Sequence, residues 1–494
     1  MQHSMSETRH IPRIVIAAQK GGAGKTVLSV GLVAALRAQG LSIAAFKKGP
    51  DYIDAGWLGL AAGRDCFNLD SYLFDTEIVR ASFLKRSSGS DLAVIEGNRG
   101  VFDGVDSAGS FSTAELAKLL NAPVILVVDA TKMTRTAAAL VLGCRALDPD
   151  LNVRGVILNR VAGERHERIL RESIEGASSI PVIGSVRKLP LERFPQRHLG
   201  LLPWHEHPEA LAFVEEAARI ASDSIDQERL LEVARRASEL DSQTGTDLFA
   251  VPPDRTPSGL RIGVLRDSAF QFYYPENLET LRMRGATIVE VSALESDELP
   301  DVDGLYIGGG FPETHAERLA QNHRFRESVY AAVEKGLPVY AECGGLMYLS
   351  RNLDIDNRDY PMAGVLPVQT VLRRKPQGHG YMRAEVTGPN PFYPRGTVLT
   401  GHEFHYSMIT GVEQSLSSCA FRIIRGHGID GKRDGICVRN VLATYLHVHA
   451  LGAPQWADGI LRKAAEFRSQ RVAPDRGPDS NHPRSVGKGM LGVG

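Results

Sequence analysis

Two α/β domains, each built on a mostly parallel sheet, are what this sequence predicts, and three observations carry the prediction. Short apolar runs alternate with amphipathic stretches from Ile14 to about Arg160, the pattern of β-α-β units whose sheet is covered on both faces. The same alternation starts afresh at Leu260-Arg261-Ile262-Gly263-Val264-Leu265. Between them periodicity fades and Ser, Thr, Asp and Pro accumulate around Asp241 to Ser258, as in an interdomain linker. The 494 residues suffice for several domains with sizeable cores. The expected division is a disordered start over 1–10, a first domain over 11–240, a linker over 241–258, a second domain over 259–468 and a disordered, Pro- and Arg-rich tail over 469–494.

Composition narrows the class of partner. A formal net charge of −1 gives no long-range field for nucleic acid or an anionic membrane, so a small molecule or a protein is expected. Cys66, Cys144, Cys343, Cys419 and Cys437 show neither metal spacing nor a paired framework, which fits a reducing cytosol. No apolar run approaches the ~18 residues of a membrane span, and the polar stretch Met1 to His10 lacks a signal-peptide core. A cytoplasmic protein is therefore expected.

In the first half, strands are expected at Ile14–Ala18, Ser42–Phe46, Leu92–Ile95, Val124–Val128 and Val153–Leu158. Ligands of such sheets lie beyond the carboxyl ends of the strands. The first run passes into Gln19-Lys20-Gly21-Gly22-Ala23-Gly24-Lys25-Thr26 and then an apolar helical stretch from Val27 to Leu36. A strand, a glycine loop and a helix start form a P-loop, whose backbone N–H groups cradle phosphates. Lys25 is expected on the β- and γ-phosphates of ATP and the Thr26 hydroxyl on Mg²⁺, with Gly21, Gly22 and Gly24 shaping the turn. The usual first glycine is replaced by Gln19, and Lys20 adds a second cation. That spelling resembles the deviant Walker loops of partition and nitrogenase-iron-protein ATPases, in which such a lysine reaches across a homodimer interface.

After the second run come Phe46-Lys47-Lys48-Gly49-Pro50-Asp51-Tyr52-Ile53-Asp54 and, further on, Asn68-Leu69-Asp70. A loop of lysines, carboxylates, a tyrosine and an asparagine beyond a buried strand suits a polyanionic substrate and Mg²⁺ better than it suits packing; a plain solvated turn at Gly-Pro-Asp is the alternative. Glu96 ends the third run, where a P-loop enzyme needs an acid for Mg²⁺, and Asp103 follows in Phe102-Asp103-Gly104. Asn159 ends the fifth run, as an adenine reader or as an ordinary surface asparagine. From Glu164 to Ala237 the pattern is helical and charged, interrupted over Arg187 to His207.

In the second half, strands are expected at Leu260–Leu265, Thr287–Val291, Gly304–Ile307, Pro338–Ala341 and Val441–Tyr445. Gly308-Gly309-Gly310-Phe311-Pro312-Glu313 follows the third of these, a turn whose N–H groups no side chain obstructs. Glu342-Cys343-Gly344-Gly345-Leu346 follows the fourth. A cysteine at such a strand-to-helix corner is a nucleophile elbow, expected to expose the sulfur and to have its thiol pKa lowered by the helix start. His447 is the best-placed base. His402 and His405 compete on chemistry, but their glycine-flanked stretch reads as a turn making a substrate or interdomain contact. His449 stands where His-x-Glu would complete a glutaminase triad, which leaves the orienting partner of a Cys343/His447 dyad open.

A nucleotide site and an activated thiol in one chain divide a reaction between them. The thiol attacks the amide of glutamine, N–H groups of Gly309, Gly310 and Gly344 hold the oxyanion, and ammonia is released. The P-loop domain phosphorylates a carboxylate, and ammonia displaces the phosphate. The Gly-Pro-Asp-Tyr-Ile-Asp loop, Asn68-Leu69-Asp70, Glu96-Gly97, Phe102-Asp103-Gly104, Arg197-His198-Leu199-Gly200-Leu201, Phe272-Tyr273-Tyr274-Pro275-Glu276-Asn277, Gly308 to Glu313, the Cys343 elbow, Gly401-His402-Glu403-Phe404-His405-Tyr406 and Tyr445-Leu446-His447 together resemble the cobyrinic acid a,c-diamide synthase family, in order from about residue 13 to 452.

The resemblance implies an α/β fold of two parts: a P-loop, dethiobiotin-synthetase-like parallel-sheet domain joined to a class I glutamine amidotransferase-like domain. It implies ATP- and glutamine-dependent amidation of the a and c acetates of a corrinoid or siroheme-type tetrapyrrole. By motif, Cys343 is the nucleophile and His447 its base. Lys20, Lys25, Thr26 and Asn159 take the nucleotide, and Thr26, Glu96 and Asp51 take Mg²⁺. Lys48, Tyr52, Asp54, Asn68, Asp70 and Asp103 take the substrate. The chain departs from the family's corrin synthases at Lys20-Gly21-Gly22, Ala55 and His379; Phe46-Lys47-Lys48, Trp57-Leu58 and Ala61-Ala62-Gly63-Arg64 look more like the branch that amidates siroheme. The rival of another class is a partition-type ATPase switch with an inactive second domain.

Overall fold

The structure, a computed structural model, describes residues 8–188, 196–197, 200–241, 259–411 and 419–472. Residues 242–258 of the expected linker over 241–258, the tail beyond residue 472 and part of the Arg197 to Leu201 motif lie outside the described residues.

The first body is a sheet of seven parallel strands in the order Phe67–Leu69, Ile43–Lys48, Leu92–Glu96, Arg13–Ala18, Val124–Asp129, Val153–Val161 and Val182–Arg187. Five of these are the apolar runs of the sequence. Helices cover both faces, so each central strand is buried on both sides and reads as a continuous apolar stretch. The sheet order turns around at Arg13–Ala18, and the glycine turn that follows this strand sits at that switch point, where ligands of open α/β sheets bind. Helix Lys25–Ala38 packs on helix Ala210–Ser224 through Gly31, where a Cβ would run into the Ala217 carbonyl.

Three boundaries differ from expectation. Thr8–Arg9 pair antiparallel with Leu240–Asp241, so the disordered start over 1–10 is corrected: order begins before residue 11, and Asp241 belongs to the first body. The stretch after Asp51 turns helical at Ile53, in helix Ile53–Ala62, which ends at Gly63 with φ 67°. The last helix, Gln455–Val472, runs past the expected boundary at 469; buried Trp456, Ile460, Leu461, Ala464 and Phe467 give it an apolar face as far as Phe467, and its last turn is exposed.

The second body is a mixed sheet of ten strands. Thr287–Val291, Arg261–Leu265, Gly304–Ile307, Val339–Glu342 and Val441–Thr444 are parallel. The sheet continues antiparallel through Arg433–Val438, Cys419–Arg425, Gly378–Val386, Val398–His405 and His447–Val448. His402 and His405 therefore lie in a strand rather than in the expected turn; Gly401 is there because a Cβ would strike the His447 carbonyl of the neighbouring strand. A four-stranded side sheet, Arg358–Pro361, Asn352–Ile355, Gln369–Leu372 and Ser407–Thr410, flanks it. No helix among the described residues is long and apolar enough to cross a membrane.

The two bodies share packing. Tyr274 and Leu451 of the second lie in the same buried cluster as Leu69, Leu73 and Phe74 of the first. Arg86 pairs with Glu279 through its two terminal guanidinium nitrogens, and Tyr381 Oη donates to Asp70 Oδ2 at 2.5 Å. Tyr274 is fully buried at this junction. Truncation of a buried aromatic costs roughly 3–5 kcal/mol, so Tyr274→Ala is expected to lower the unfolding free energy measured in urea by that much, and the loss will register in probes placed in either body.

Candidate active site

Gly22 and Gly24 have φ of 71° and 92°, the left-handed region that side chains disfavour. Nothing lies within 4 Å of a Cβ built on Gly21 or Gly22, so the turn presents unobstructed backbone to an anion. Lys25 is buried with Nζ 2.6 Å from the Arg99 carbonyl. Burial, and then the nearby Lys47 charge, lower its pKa. Thr26 Oγ1 donates to Glu96 Oε1 at 2.8 Å. Asn159 Nδ2 donates to the Ala23 carbonyl at 2.8 Å and so braces the loop from below. Lys20 Nζ lies 3.0 Å from Asp129, which also pairs with Arg160 at 2.8 Å, and Arg160 donates to the Gly22 carbonyl. Lys20 thus has a partner within its own chain.

The sequence reading passed over Lys47 in favour of Lys48. Lys47 Nζ stands 2.7 Å from Asp54 Oδ2 and 2.9 Å from Glu96 Oε1. Side chains alternate along a strand, and the fold sets Lys47 directly opposite Glu96 in the parallel register, a pairing the sequence does not spell out. Burial opposes the charge of each member. Asp54 and Glu96 nonetheless raise Lys47, and Lys47 lowers Asp54, whereas burial prevails at Glu96 and raises it. Glu96 Oε2 is buried without a hydrogen-bond partner, an acceptor suited to a cation. No group of three or more His, Cys, Asp or Glu side chains that could hold a metal occurs among the described residues. A small donor set completed by phosphate oxygens is what Mg²⁺ commonly uses.

Cys343 caps the six-residue helix Gly344–Leu349 with φ 45° and ψ −96°, a strained corner for a residue with a side chain. A Cβ on Gly344 would sit 3.0 Å from the Gly310 nitrogen, which brings the expected N–H groups of Gly309, Gly310 and Gly344 together beside the cysteine. Two expectations are corrected here. The sulfur is buried rather than exposed, at 5 % relative accessibility. Its pKa is raised rather than lowered, because burial and then the Glu313 charge outweigh the Gly344 N–H. Cys343 Sγ donates to the Phe404 carbonyl at 3.6 Å; among the described residues no hydrogen bond joins it to His447.

His447 lies across the same glycine turn: a Cβ on Gly309 would come 2.5 Å from His447 Cε1. Its Nδ1 is 3.4 Å from Glu342 Oε2 and 3.5 Å from the Tyr52 hydroxyl of the first body. His402 stacks on it at 4.8 Å. His405 instead stacks on Tyr445 at 3.6 Å. The chain leading to His447 is clasped by buried Asp434, which accepts from Thr444 Oγ1 at 2.6 Å and from the N–H groups of Tyr445 and Leu446 at 3.0 and 3.2 Å.

A cavity of about 620 Å³ opens between the bodies. Lys48, Asp51, Tyr52 and Asp103 line it from the first body, and His379, Tyr381, His402, Phe404, Arg425 and His447 from the second. Burial, and next the neighbouring Asp54, push Asp51 up to about 7. Asp103 Oδ2 accepts from the Gly100 N–H at 2.8 Å, and Lys48 Nζ donates to the Tyr381 hydroxyl at 3.0 Å. Asp54, Asn68 and Asp70 are not among the lining residues and act on the cavity through their neighbours. Asn68 holds the loop through the Gly49 and Asp51 carbonyls at 2.7 and 3.0 Å, Asp70 holds Tyr381, and Asp54 holds Lys47.

Comparison with known proteins agrees with this two-part layout. The family model of the CobQ/CobB/MinD/ParA nucleotide binding domain matches residues 14–201, and that of the CobB/CobQ-like glutamine amidotransferase domain matches residues 261–455. A cobyrinate a,c-diamide synthase of Magnetococcus marinus is 44% identical over 453 residues, spanning 92% of this chain and 97% of that one. The chain belongs to the cobyrinate a,c-diamide synthase family. Synthases of Archaeoglobus fulgidus and Listeria monocytogenes, each 40% identical, span 92% and 88% of this chain and 98% and 96% of their own. As a member of the cobyrinate a,c-diamide synthase family the chain is a glutamine-dependent carbon–nitrogen ligase with a nucleotide-binding domain. The reading of it as a partition-type switch with an inactive second domain is thereby overturned.

Two measurements test these placements. Lys47→Met leaves Glu96 and Asp54 without their cation, and unpairing a buried charge costs roughly 3–5 kcal/mol; a loss of that order in urea denaturation is expected. Asp434 has its pKa raised from 3.8 to about 6, chiefly by burial. A carboxyl whose folded pKa lies above its unfolded one stabilises the fold while protonated. That contribution is present below pH 3.8 and is lost as pH rises through about 6, a difference of roughly 3 kcal/mol. Asp434→Asn is expected to flatten this part of the stability profile relative to the wild type.

Proposed function

We propose that this protein amidates the a and c acetate carboxylates of cobyrinic acid, using ATP and L-glutamine, through an acyl phosphate and ammonia released by Cys343. The observation that carries this reading is the one cavity walled both by the acidic loop beside the P-loop and by His447. On this reading a carboxylate held there is phosphorylated from the P-loop side and met by ammonia from the side of His447.

In the glutaminase half, His447 takes the thiol proton as sulfur attacks the glutamine amide carbon. The oxyanion rests on N–H groups of the Gly309–Gly310 turn and Gly344, and ammonia leaves with the proton His447 returns. Burial holds the resting thiol protonated, so attack requires this base. Water then hydrolyses the thioester to glutamate. In the synthetase half the acetate oxygen attacks the γ-phosphorus of ATP, ADP departs, and ammonia displaces phosphate from the acyl phosphate to leave the amide. Lys25 and the glycine turn hold the phosphates. Thr26, Glu96 and Asp51 would hold Mg²⁺, which supplies positive charge against the phosphate oxygens. Lys48, Tyr52 and Asp103 position the acceptor, and Arg425 and His379 offer positive or donor groups to its other carboxylates.

A second reading, the same chemistry on siroheme, is favoured by the Phe46-Lys47-Lys48 and Ala61 to Arg64 spellings and by His379 on the cavity wall. Incubation of the enzyme with cobyrinic acid or siroheme, ATP and glutamine, followed by mass spectrometry, separates the two. Each amidation lowers the mass by about one dalton, and two are expected on the true acceptor. Cys343→Ala is expected to abolish glutamine-dependent amidation and spare amidation from ammonium salts; loss of both in a folded variant would remove the thiol from the scheme. Lys25→Ala is expected to remove ATP turnover while residual glutaminase activity persists, and an unchanged ATPase rate would refute the phosphate-loop assignment.

A further inference from the structure

We infer that Glu342, the residue immediately before the nucleophile, is the positioning residue that orients His447 and fixes its tautomer. The inference rests on the reading of His447 as the base of the glutaminase. His449, which occupies the sequence position of the usual triad acid, is engaged elsewhere: its Nε2 faces Glu276 at 3.5 Å and its Nδ1 accepts from the Leu451 N–H at 3.2 Å. Glu342 comes instead from the adjacent parallel strand, where it pairs in register with Thr444. Its carboxylate is fully buried, with Oε2 3.4 Å from His447 Nδ1.

Both carboxylate oxygens are held. Tyr306 Oη donates to Oε2 at 3.1 Å and the Val448 N–H donates to Oε1 at 3.2 Å. The carboxylate is therefore fixed before the imidazole meets it. The Cε1–Nε2 edge of the ring faces the glycine turn: a Cβ on Gly309 would lie 2.5 Å from Cε1 and 3.3 Å from Nε2. A proton kept on Nδ1 by Glu342 leaves Nε2 bare on the side of the nucleophile's turn, and the same carboxylate stabilises the imidazolium once the thiol proton has moved. At 3.4 Å the contact is an ion-pair distance, and such contacts tighten when a substrate is engaged. The other groups against the ring are Tyr52 from the first body and His402 from the neighbouring strand. Burial holds His402 neutral, and the phenol pKa of Tyr52 is raised far above its ordinary range, also by burial. Neither supplies the negative charge.

The test uses the full-length enzyme carrying Glu342→Gln, Glu342→Asp or His447→Gln. Glutaminase kcat and KM, ammonia-dependent amidation and the pH profile of glutaminase kcat/KM are measured for each. By analogy with the loss of an orienting carboxylate in other triads, Glu342→Gln is expected to lower glutaminase kcat about 10²- to 10⁴-fold. The KM for glutamine should stay within about twofold and ammonia-dependent amidation should be retained. The acid limb of the profile should move to lower pH, because the imidazolium has lost its counter-charge. Glu342→Asp, which keeps the charge, should recover part of the rate with the limb near its wild-type position. A wild-type rate in Glu342→Gln, or equal losses in Gln and Asp with neither limb displaced, would overturn the inference; the latter would assign Glu342 to packing alone. If Glu342→Gln also loses ammonia-dependent amidation, Glu342→Asp decides by the same two readouts. Undiminished glutaminase activity in His447→Gln would instead refute the reading of the base, a result separable from failure at Glu342.

Discussion

Tyr52 is the point at which the two bodies become one site. Its ring stacks on Phe272 at 5.2 Å with the planes 5° apart, and its hydroxyl stands 3.5 Å from His447 Nδ1. The residue belongs to the acidic loop beside the P-loop, yet most of its neighbours come from the second body. Tyr274, Phe272, His402 and His447 all lie within ring-contact distance of it. Without this insertion the cavity would lose the side chain that reaches from the acidic loop to His447. The phenol suits the task because it buries a broad apolar face and still places a polar atom at the far end.

Burial shifts several of the groups in and beside the cavity. Cys343 is held as a thiol and His402 as a neutral ring, while Asp51 is brought near neutrality and Lys25 is lowered. Paired charges escape this trend. Lys47 stays cationic between Asp54 and Glu96, the one place in the first body where a lysine is fully enclosed with two carboxylates at hydrogen-bond distance among the described residues. Such a cluster is weak as a source of net stability. Its value lies in fixing the strand end that carries Lys48 toward the cavity and the Glu96 carboxylate toward the Thr26 hydroxyl.

The parallel strands were legible because both of their faces are covered, so that Val124–Asp129 or Arg13–Ala18 present almost unbroken apolar residues. The antiparallel extension was not. Gly378–Val386 and Val398–His405 carry charged and polar residues through the middle of the sheet, and their alternation is masked by histidines and glutamate that face the cavity or one another. The cysteine corner and its glycines could be read from spelling, because close approach of two turns demands glycine there. Its electrostatics could not: a six-residue helix start is a weak field, and the depth of burial that overrides it depends on Phe404, a residue of a strand the sequence did not reveal. Lys47 and Glu342 were missed for a common reason. Each gains its meaning from a residue distant in sequence: Glu96 stands opposite Lys47 in register, and His447 follows closely on Thr444, the register partner of Glu342.

The strand Val398–His405 serves two tasks with adjacent atoms. The Phe404 ring meets His379 edge-on at 4.7 Å on the cavity wall, while its carbonyl receives the Cys343 thiol at 3.6 Å. A backbone shift in this strand that reshapes the cavity wall therefore reaches the Cys343 sulfur as well, whereas exchange of the His379 or Arg425 side chain alters the same wall and leaves the sulfur's acceptor in place.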